Sequence, residues 1–175
     1  MKKIIILNCT NRTGSNSLKI SKLYQRLLKE KNNNVEIFEL SDLPETIVFT
    51  ELYGKRSVEY SELIKKNITD QENFIFVVPE YNGGFPGILK VFLDSIPPKE
   101  WANKKACLVG VSTGRAGNLR GMDQLAAILH YLKMHVYYNK LPISLVDKLI
   151  DEDGNFISED QKNVCLLQLE GFLNF

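Results

Sequence analysis

The sequence predicts an α/β fold in which a parallel sheet is covered by helices on both faces. Two observations point to it. Segments with strand character alternate with helical segments along the whole chain. Three of the strand segments also lack the polar alternation of a half-exposed strand, as expected where both faces are buried.

The first strand is KIIILNC, residues 3–9, a continuous apolar run. A helix is expected over 15–31, where Leu18, Ile20, Leu23, Tyr24, Leu27 and Leu28 supply one apolar face. Asn32, Asn33 and Asn34 end it. VEIFEL, 35–40, alternates apolar and acidic residues and reads as a strand with one exposed face. A loop over 41–55 contains Pro44 and Gly54, and a helix over 57–69 carries Val58, Leu63, Ile64 and Ile68. FIFVV (74–78) is the third strand, followed by a helix over 86–94. KKACLVGVS (104–112) is the fourth, followed by a helix ending near Lys133. HVYY and LPIS form a fifth strand region, and a last helix spans about 158–173. DEDGNF, 151–156, lacks the ligand spacing of a calcium loop and reads as an Asp-Gly turn. With right-handed crossovers, five strands in this rhythm fit a flavodoxin-like three-layer sandwich with strand order 2-1-3-4-5.

A chain of 175 residues suits a single domain, expected here over 1–175. Hydrophobic residues make up 44% and charged residues 25%, the mix of a soluble globular protein. Twenty-two basic side chains against 21 acidic ones leave a net charge of +1. That balance argues against a nucleic-acid or membrane-surface partner, which calls for a basic excess. No apolar run reaches the length of a membrane span. The start, MKKIIILNC, is too short in its apolar part for a secretory leader and lacks a small-residue cleavage site, so a cytoplasmic location is expected. Cys9, Cys107 and Cys165 are scattered, odd in number and in apolar contexts, which favours buried thiols over disulfides. His130 and His135 have no cysteine or carboxylate cluster around them, so no metal site is expected.

In an open parallel sheet, ligands bind outside the carboxyl ends of the strands. Eight of the eleven glycines fall at Gly14, between Gly83 and Gly87, or between Gly110 and Gly121, in or beside three loops at that edge. The first loop, CTNRTGSNS (9–17), joins a buried strand to a helix start. Thr10, Thr13, Ser15 and Ser17 offer hydroxyls and Arg12 a cation, a set suited to a phosphate at a helix N-terminus. Simple N-capping needs only one of them. The loop is neither GxGxxG nor a P-loop, which argues against the dinucleotide fingerprint and a nucleoside triphosphatase. In the second loop, PEYNGGFPGILK (79–90), Pro79 fixes the direction in which the chain leaves the strand. Asn82 donates and accepts hydrogen bonds, Tyr81 is available to stack, and Gly83 and Gly84 clear space for a planar ring. A glycine-rich connector with Pro86 at a helix start is the plainer reading. The third loop, STGRAGNLRG (112–121), sets small residues between Arg115 and Arg120. It is either the opposite wall of a ring-shaped slot or a mobile surface loop.

Together the three loops give the chain a resemblance to the NADPH-dependent FMN reductase family, which includes quinone, azo-dye and chromate reductases. PEYNGGFPGILK resembles the family's P-E-Y-N-x-x-x-P-G-x-L-K loop, and residues 9–17 resemble its G-S-x-R-x-x-S-x-N phosphate loop. The resemblance implies bound FMN, with NADPH or NADH as electron donor. It places Thr10, Arg12, Ser15, Asn16 and Ser17 about the FMN phosphate. Pro79, Glu80, Tyr81, Asn82 and Gly83 fall along the flavin ring, and Ser112, Gly114, Arg115 and Gly117 beside its far edge. Hydride would pass from the nicotinamide to the flavin and on to a small acceptor (a flavin, quinone, azo compound or metal oxyanion) in a ping-pong cycle. FMN carries that chemistry, so no side chain is expected to be catalytic, and Glu80 is read as a helix-start or turn residue as much as an acid. The resemblance also implies self-association as a homodimer or homotetramer. Cys9 and Thr10 depart from the family's Gly-Ser, and Asn118 replaces the second glycine of a typical pair. Asparagine tolerates left-handed backbone better than most residues. Two other classes compete: a one-electron FMN carrier of the flavodoxin type, which a charge of +1 fits poorly, and a non-catalytic protein that kept only the fold.

Overall fold

The computed structural model describes residues 3–175. Strands β1 (Ile4–Asn8), β2 (Val35–Glu39), β3 (Asn73–Pro79) and β4 (Lys105–Val111) are parallel and lie in the order β2-β1-β3-β4. In register, Ile6 lies between Ile37 and Ile75, and Phe76 lies beside Leu108. The fifth position, expected as one strand region, is filled by two short pieces. Strand β5 (His135–Val136) pairs with the start of β4 and β6 (Leu141–Ile143) with its end. All five strand positions follow the expected order, 2-1-3-4-5.

Successive side chains on a strand point to opposite faces, so each buried strand feeds two cores. Ile5, Leu7, Phe74, Phe76, Val78 and Leu108 face one layer, formed by α2 (Ile47–Thr50), α3 (Val58–Ile64), α4 (Gly87–Asp94), α5 (Pro98–Trp101) and α6 (Leu119–Tyr131). Ile4, Ile6, Ile75, Val77 and Val109 face the other, formed by α1 (Asn16–Glu30) and α7 (Glu159–Leu173). Ser15, Ser57 and Ser158 cap α1, α3 and α7 by accepting a first-turn N–H. Asn32, just past the end of α1, takes a left-handed φ of 59°.

Three local features differ from the expected elements. The stretch read as a loop over 41–55 contains the four-residue α2, whose Ile47 is buried. A short α5 places Trp101 in the core. The helix expected over 57–69 is α-helical only to Ile64 and continues as a π turn over Lys65–Thr69. Lys104 explains that ending. Its buried ammonium donates to the carbonyls of Ile68 and Thr69, both at 2.9 Å, and to that of Gln71. A cation on carbonyls at a helix C-terminus satisfies acceptors that the helix leaves open. Burial pushes the Lys104 ammonium pKa down.

The three cysteines are free and buried, and burial pushes their thiol pKa values up, to about 11 for Cys165. Among the described residues, no helix is long and apolar enough to cross a membrane.

Trp101 sits at the centre of an aromatic cluster, with ring centroids 5.7 Å from Phe74, 6.4 Å from Phe76 and 6.1 Å from Phe92. Its indole N–H is buried without an acceptor among the described residues. Trp101→Ala is expected to lower unfolding stability by about 3–5 kcal/mol through the cavity it leaves. Trp101→Phe should cost clearly less, because it keeps a ring in place and removes the unmet donor. Urea denaturation followed by circular dichroism measures both, and equal losses would rule out this account.

Candidate functional site

The carboxyl ends of β1, β3, β4 and β6 share one rim, and the three glycine-bearing loops leave from it. A cleft of about 250 Å³ opens there. From the first loop it is lined by Arg12, Gly14, Ser15, Asn16 and Ser17, from the second by Pro79, Glu80 and Tyr81, from the end of β4 by Val111, and from the third loop by Ser112 and Thr113. Val146 completes it.

At one end of the cleft is the N-terminus of α1. Ser15 Oγ accepts the Leu18 N–H at 3.2 Å and lies 3.0 Å from Ser17 Oγ. Ser17 donates to Asn8 Oδ1 at 2.8 Å. A hydroxyl has one proton, so Ser15 is the donor in the bond between the two serines. Asn8, buried at the end of β1, therefore anchors the first turn of the helix to the sheet. Thr10 lies beneath this surface with no exposure; its hydroxyl is 2.8 Å from the Tyr81 hydroxyl and accepts the Arg12 N–H at 3.2 Å. That pair joins the first loop to the second.

The second loop turns on Asn82 and Gly83, with φ of 51° and 80°. Tyr81 and Gly84 exchange N–H···O bonds across them at 2.9 and 3.1 Å, closing a two-residue turn of the Asn-Gly kind. Glu80 points toward α6. Its carboxylate accepts the Asn118 N–H at 3.2 Å and Arg120 Nη2 at 3.2 Å, so it caps that helix start and is held by charge. Asn118 takes φ 63° and ψ 32°, the left-handed region that asparagine tolerates. Its Nδ2 donates to the carbonyls of Val78 at 3.0 Å and Pro79 at 3.1 Å. Ser112 Oγ accepts the Gly114 N–H at 2.9 Å, and the Leu145 and Val146 N–H groups bond the Gly114 and Ser112 carbonyls, both at 3.1 Å.

Of the residues singled out in the sequence, Arg12, Ser15, Asn16, Ser17, Pro79, Glu80, Tyr81 and Ser112 meet at the cleft. Thr10 lies below it, Asn82 and Gly83 form the turn tip, and Gly114, Arg115 and Gly117 stand outside its lining. Cys9, where the resemblance has glycine, is accommodated in the core layer that faces α4 and α6, its thiol 3.3 Å from the Leu7 carbonyl. Sequence reasoning missed Asn8, Thr113 and Val146. A polar residue ending an otherwise apolar strand was a usable signal for Asn8; nothing in the sequence marked Val146.

The arrangement suits an anionic ligand with a flat part. Among the lining side chains Arg12 is the one cation and Glu80 the one anion, and Glu80 is already engaged by Asn118 and Arg120. The Leu18 N–H is taken by the Ser15 cap, the Asn16 and Ser17 N–H groups have no partner within the helix, and the macrodipole favours negative charge there. Hydroxyls, N–H groups and a guanidinium at one end, and main chain of two loops along the sides, fit the phosphate and ring of FMN.

Comparison with known proteins shows the family and the fold. The profile described as NADPH-dependent FMN reductase matches residues 2–145. A 2-hydroxy-1,4-benzoquinone reductase from a Burkholderia species is 30% identical over 131 residues, 71% of this chain and 71% of that protein. An NAD(P)H-dependent FMN reductase of Pseudomonas aeruginosa is 26% identical over 141 residues, covering 78% of this chain and 75% of its own. Among solved structures, a flavoenzyme NAD(P)H:(acceptor) oxidoreductase from Paracoccus denitrificans superposes with a TM-score of 0.83 at 20% identity, over 99% of this chain and 96% of that one, which shows the shared fold. The chain belongs to the NADPH-dependent FMN reductase family, FMN-dependent oxidoreductases that draw electrons from a nicotinamide cofactor.

Proposed function

We propose that the cleft at the carboxyl rim binds FMN and that the protein reduces a small acceptor, a quinone foremost, with electrons from NADPH or NADH. The observation that carries this reading is the cleft itself, where the hydroxyls of Ser15 and Ser17 and the Arg12 guanidinium sit at a helix N-terminus beside two main-chain walls. The quinone class is supported by the benzoquinone reductase similarity, and flavins, azo compounds and metal oxyanions are further members of the acceptor set.

In this reading bound FMN supplies the redox chemistry, accepting hydride from the donor and passing electrons to the acceptor. The chain's own residues position and stabilise. Arg12, Ser15, Asn16 and Ser17 hold the phosphate, with Thr10 supporting Tyr81 from below. Pro79, Glu80, Tyr81, Asn82 and Gly83 set one wall; the Glu80 and Tyr81 N–H groups already bond the Val111 and Gly84 carbonyls, so the Asn82 and Gly83 N–H groups at the turn tip are the ones that favour negative charge on the ring. Ser112 sets the other wall, with Gly114, Arg115 and Gly117 beyond the lining toward the ring's far edge. Arg120 is held by Glu80, which leaves Arg115 as the third-loop cation available to the donor's phosphates. Donor and acceptor would bind in turn at the cleft, a ping-pong cycle, and no side chain serves as nucleophile or general base.

We further propose that the 175 residues act as one FMN-binding domain in the cytoplasm, where the three free thiols suit a reducing compartment, and that the chain associates as a homodimer or homotetramer. Phe49 and Tyr53 are 84% and 91% exposed, which favours a covering partner copy. Sedimentation should show at least a dimer at micromolar concentration; a monomer alone would overturn the assembly.

The function is tested by anaerobic absorbance of the purified protein with FMN, before and after adding NADPH. A bound flavin spectrum that bleaches is expected. A bound flavin that neither NADPH nor NADH bleaches would point to a carrier, and no bound flavin would remove the cofactor from the reading. Ser15→Ala sharpens the test. Ser15 must turn its proton from Ser17 to the phosphate, so a charge-assisted bond of about 1.5–3 kcal/mol is gained while one of about 1 kcal/mol is lost. FMN affinity should fall roughly two- to thirtyfold, and the lost N-cap should lower apoprotein stability by about 0.5–2 kcal/mol. Fluorescence titration and thermal unfolding read the two effects, and unchanged affinity would move the phosphate elsewhere.

A further inference from the structure

We infer that Asn118 is a positioning residue for the flavin ring: its carboxamide fastens the third loop to the end of β3 and so fixes the width of the slot between the two walls. The inference rests on the FMN reading above and adds a role for a residue at which the chain departs from its family's pattern.

The side chain is 1% exposed and gives both amide protons to one target, the consecutive carbonyls of Val78 and Pro79. Its own N–H goes to Glu80 on the same segment. Three bonds thus run from one residue to three successive residues of the opposite wall, across a sequence distance of about forty residues. The remaining links between the walls at this point are the Glu80 N–H to the Val111 carbonyl at 2.9 Å and the exposed Arg120–Glu80 ion pair at 3.2 Å.

The left-handed backbone at position 118 explains the residue type. Glycine would meet the conformation but offer no donor, and most other residues would be strained. Asparagine satisfies both requirements. Close packing then limits movement. A Cβ on Gly121 would fall on Asn118 Oδ1 and lie 2.8 Å from the Gly84 carbonyl carbon, and one on Gly117 would lie 2.7 Å from Pro142 Cβ. The third loop is therefore pressed against β6 and the second loop, with the Asn118 amide at the contact. Pro79 and Glu80 line the cleft directly, so tension or slack in this fastening is transmitted to the ring wall and not to the phosphate end.

The test compares FMN with riboflavin, which shares the ring and lacks the phosphate. Asn118→Gly keeps the backbone conformation and removes the two side-chain bonds. It should weaken FMN and riboflavin by the same factor, about tenfold. Asn118→Asp also tolerates the left-handed region but presents a carboxylate to two carbonyls, so it should weaken both flavins at least as much. Ser15→Ala should weaken FMN and leave riboflavin unchanged. If position 118 matters only for its backbone conformation, both variants will bind like the wild type, and the inference fails. A loss confined to FMN also overturns it, because that places the effect at the phosphate. Should the variants not fold, the wild type still decides. The Asn118 side-chain amide protons should exchange slowly by NMR in the apoprotein, and fast exchange overturns the fastening. A wild type that takes up neither flavin overturns the cofactor reading, and this inference with it.

Discussion

Burial of β1, β3 and β4 on both faces is the constraint from which the rest of the structure follows. Strands enclosed by two helical layers have no room for polar side chains along their length, since an unpaired polar group there costs free energy. The polar residues of these strands accordingly lie at their ends. Asn73 and Lys105 begin two of them, and Asn8 closes the first. Binding chemistry is thereby displaced to the carboxyl rim, where backbone leaves the sheet and helix N-termini point inward. The positions of the three loops are a consequence of the sheet, and their contents are what makes the site specific.

The loops also hold one another. Thr10 and Tyr81 join the first to the second, Asn118 and Glu80 join the second to the third, and the 145–146 backbone braces the third from outside. Each bond is modest on its own, but together they tie segments that are far apart in sequence before any ligand arrives. Preorganisation of this kind lowers the ordering cost that binding would otherwise carry. The first loop is the less restrained part: Asn11, Arg12, Thr13 and Gly14 are all exposed.

Much of the fold was legible because hydrophobic period and helix caps act locally. The apolar runs at 3–9, 74–78 and 104–112 could only be buried strands, and the helices at 16–30 and 159–173 lie within a residue or two of their expected spans. What escaped depended on distant partners. The π turn after Ile64 follows from an ammonium forty residues downstream, and α5 is placed by Trp101 entering an aromatic cluster built from β3 and α4. At the site, residue types at spaced positions revealed the first two loops. The fastening role of Asn118 did not show, because its acceptors, Val78 and Pro79, are main-chain carbonyls that no side-chain pattern advertises. Val146 enters the cleft after a left-handed Leu145 at φ 50°, a conformation that leucine does not signal.

The interruption between β5 and β6 bears on how the chain avoids aggregating. A long, regular edge strand offers a row of unpaired N–H and C=O groups on which another sheet can grow. Here that edge is cut into pieces of two and three residues, with the exposed Tyr138 and the Lys140–Asp123 ion pair in the gap. At the opposite edge, β2 carries the exposed Glu36, paired to Lys3. Neither border is a good template for strand addition. Sheet extension from one copy to the next, which has no natural end, is thus disfavoured at both borders.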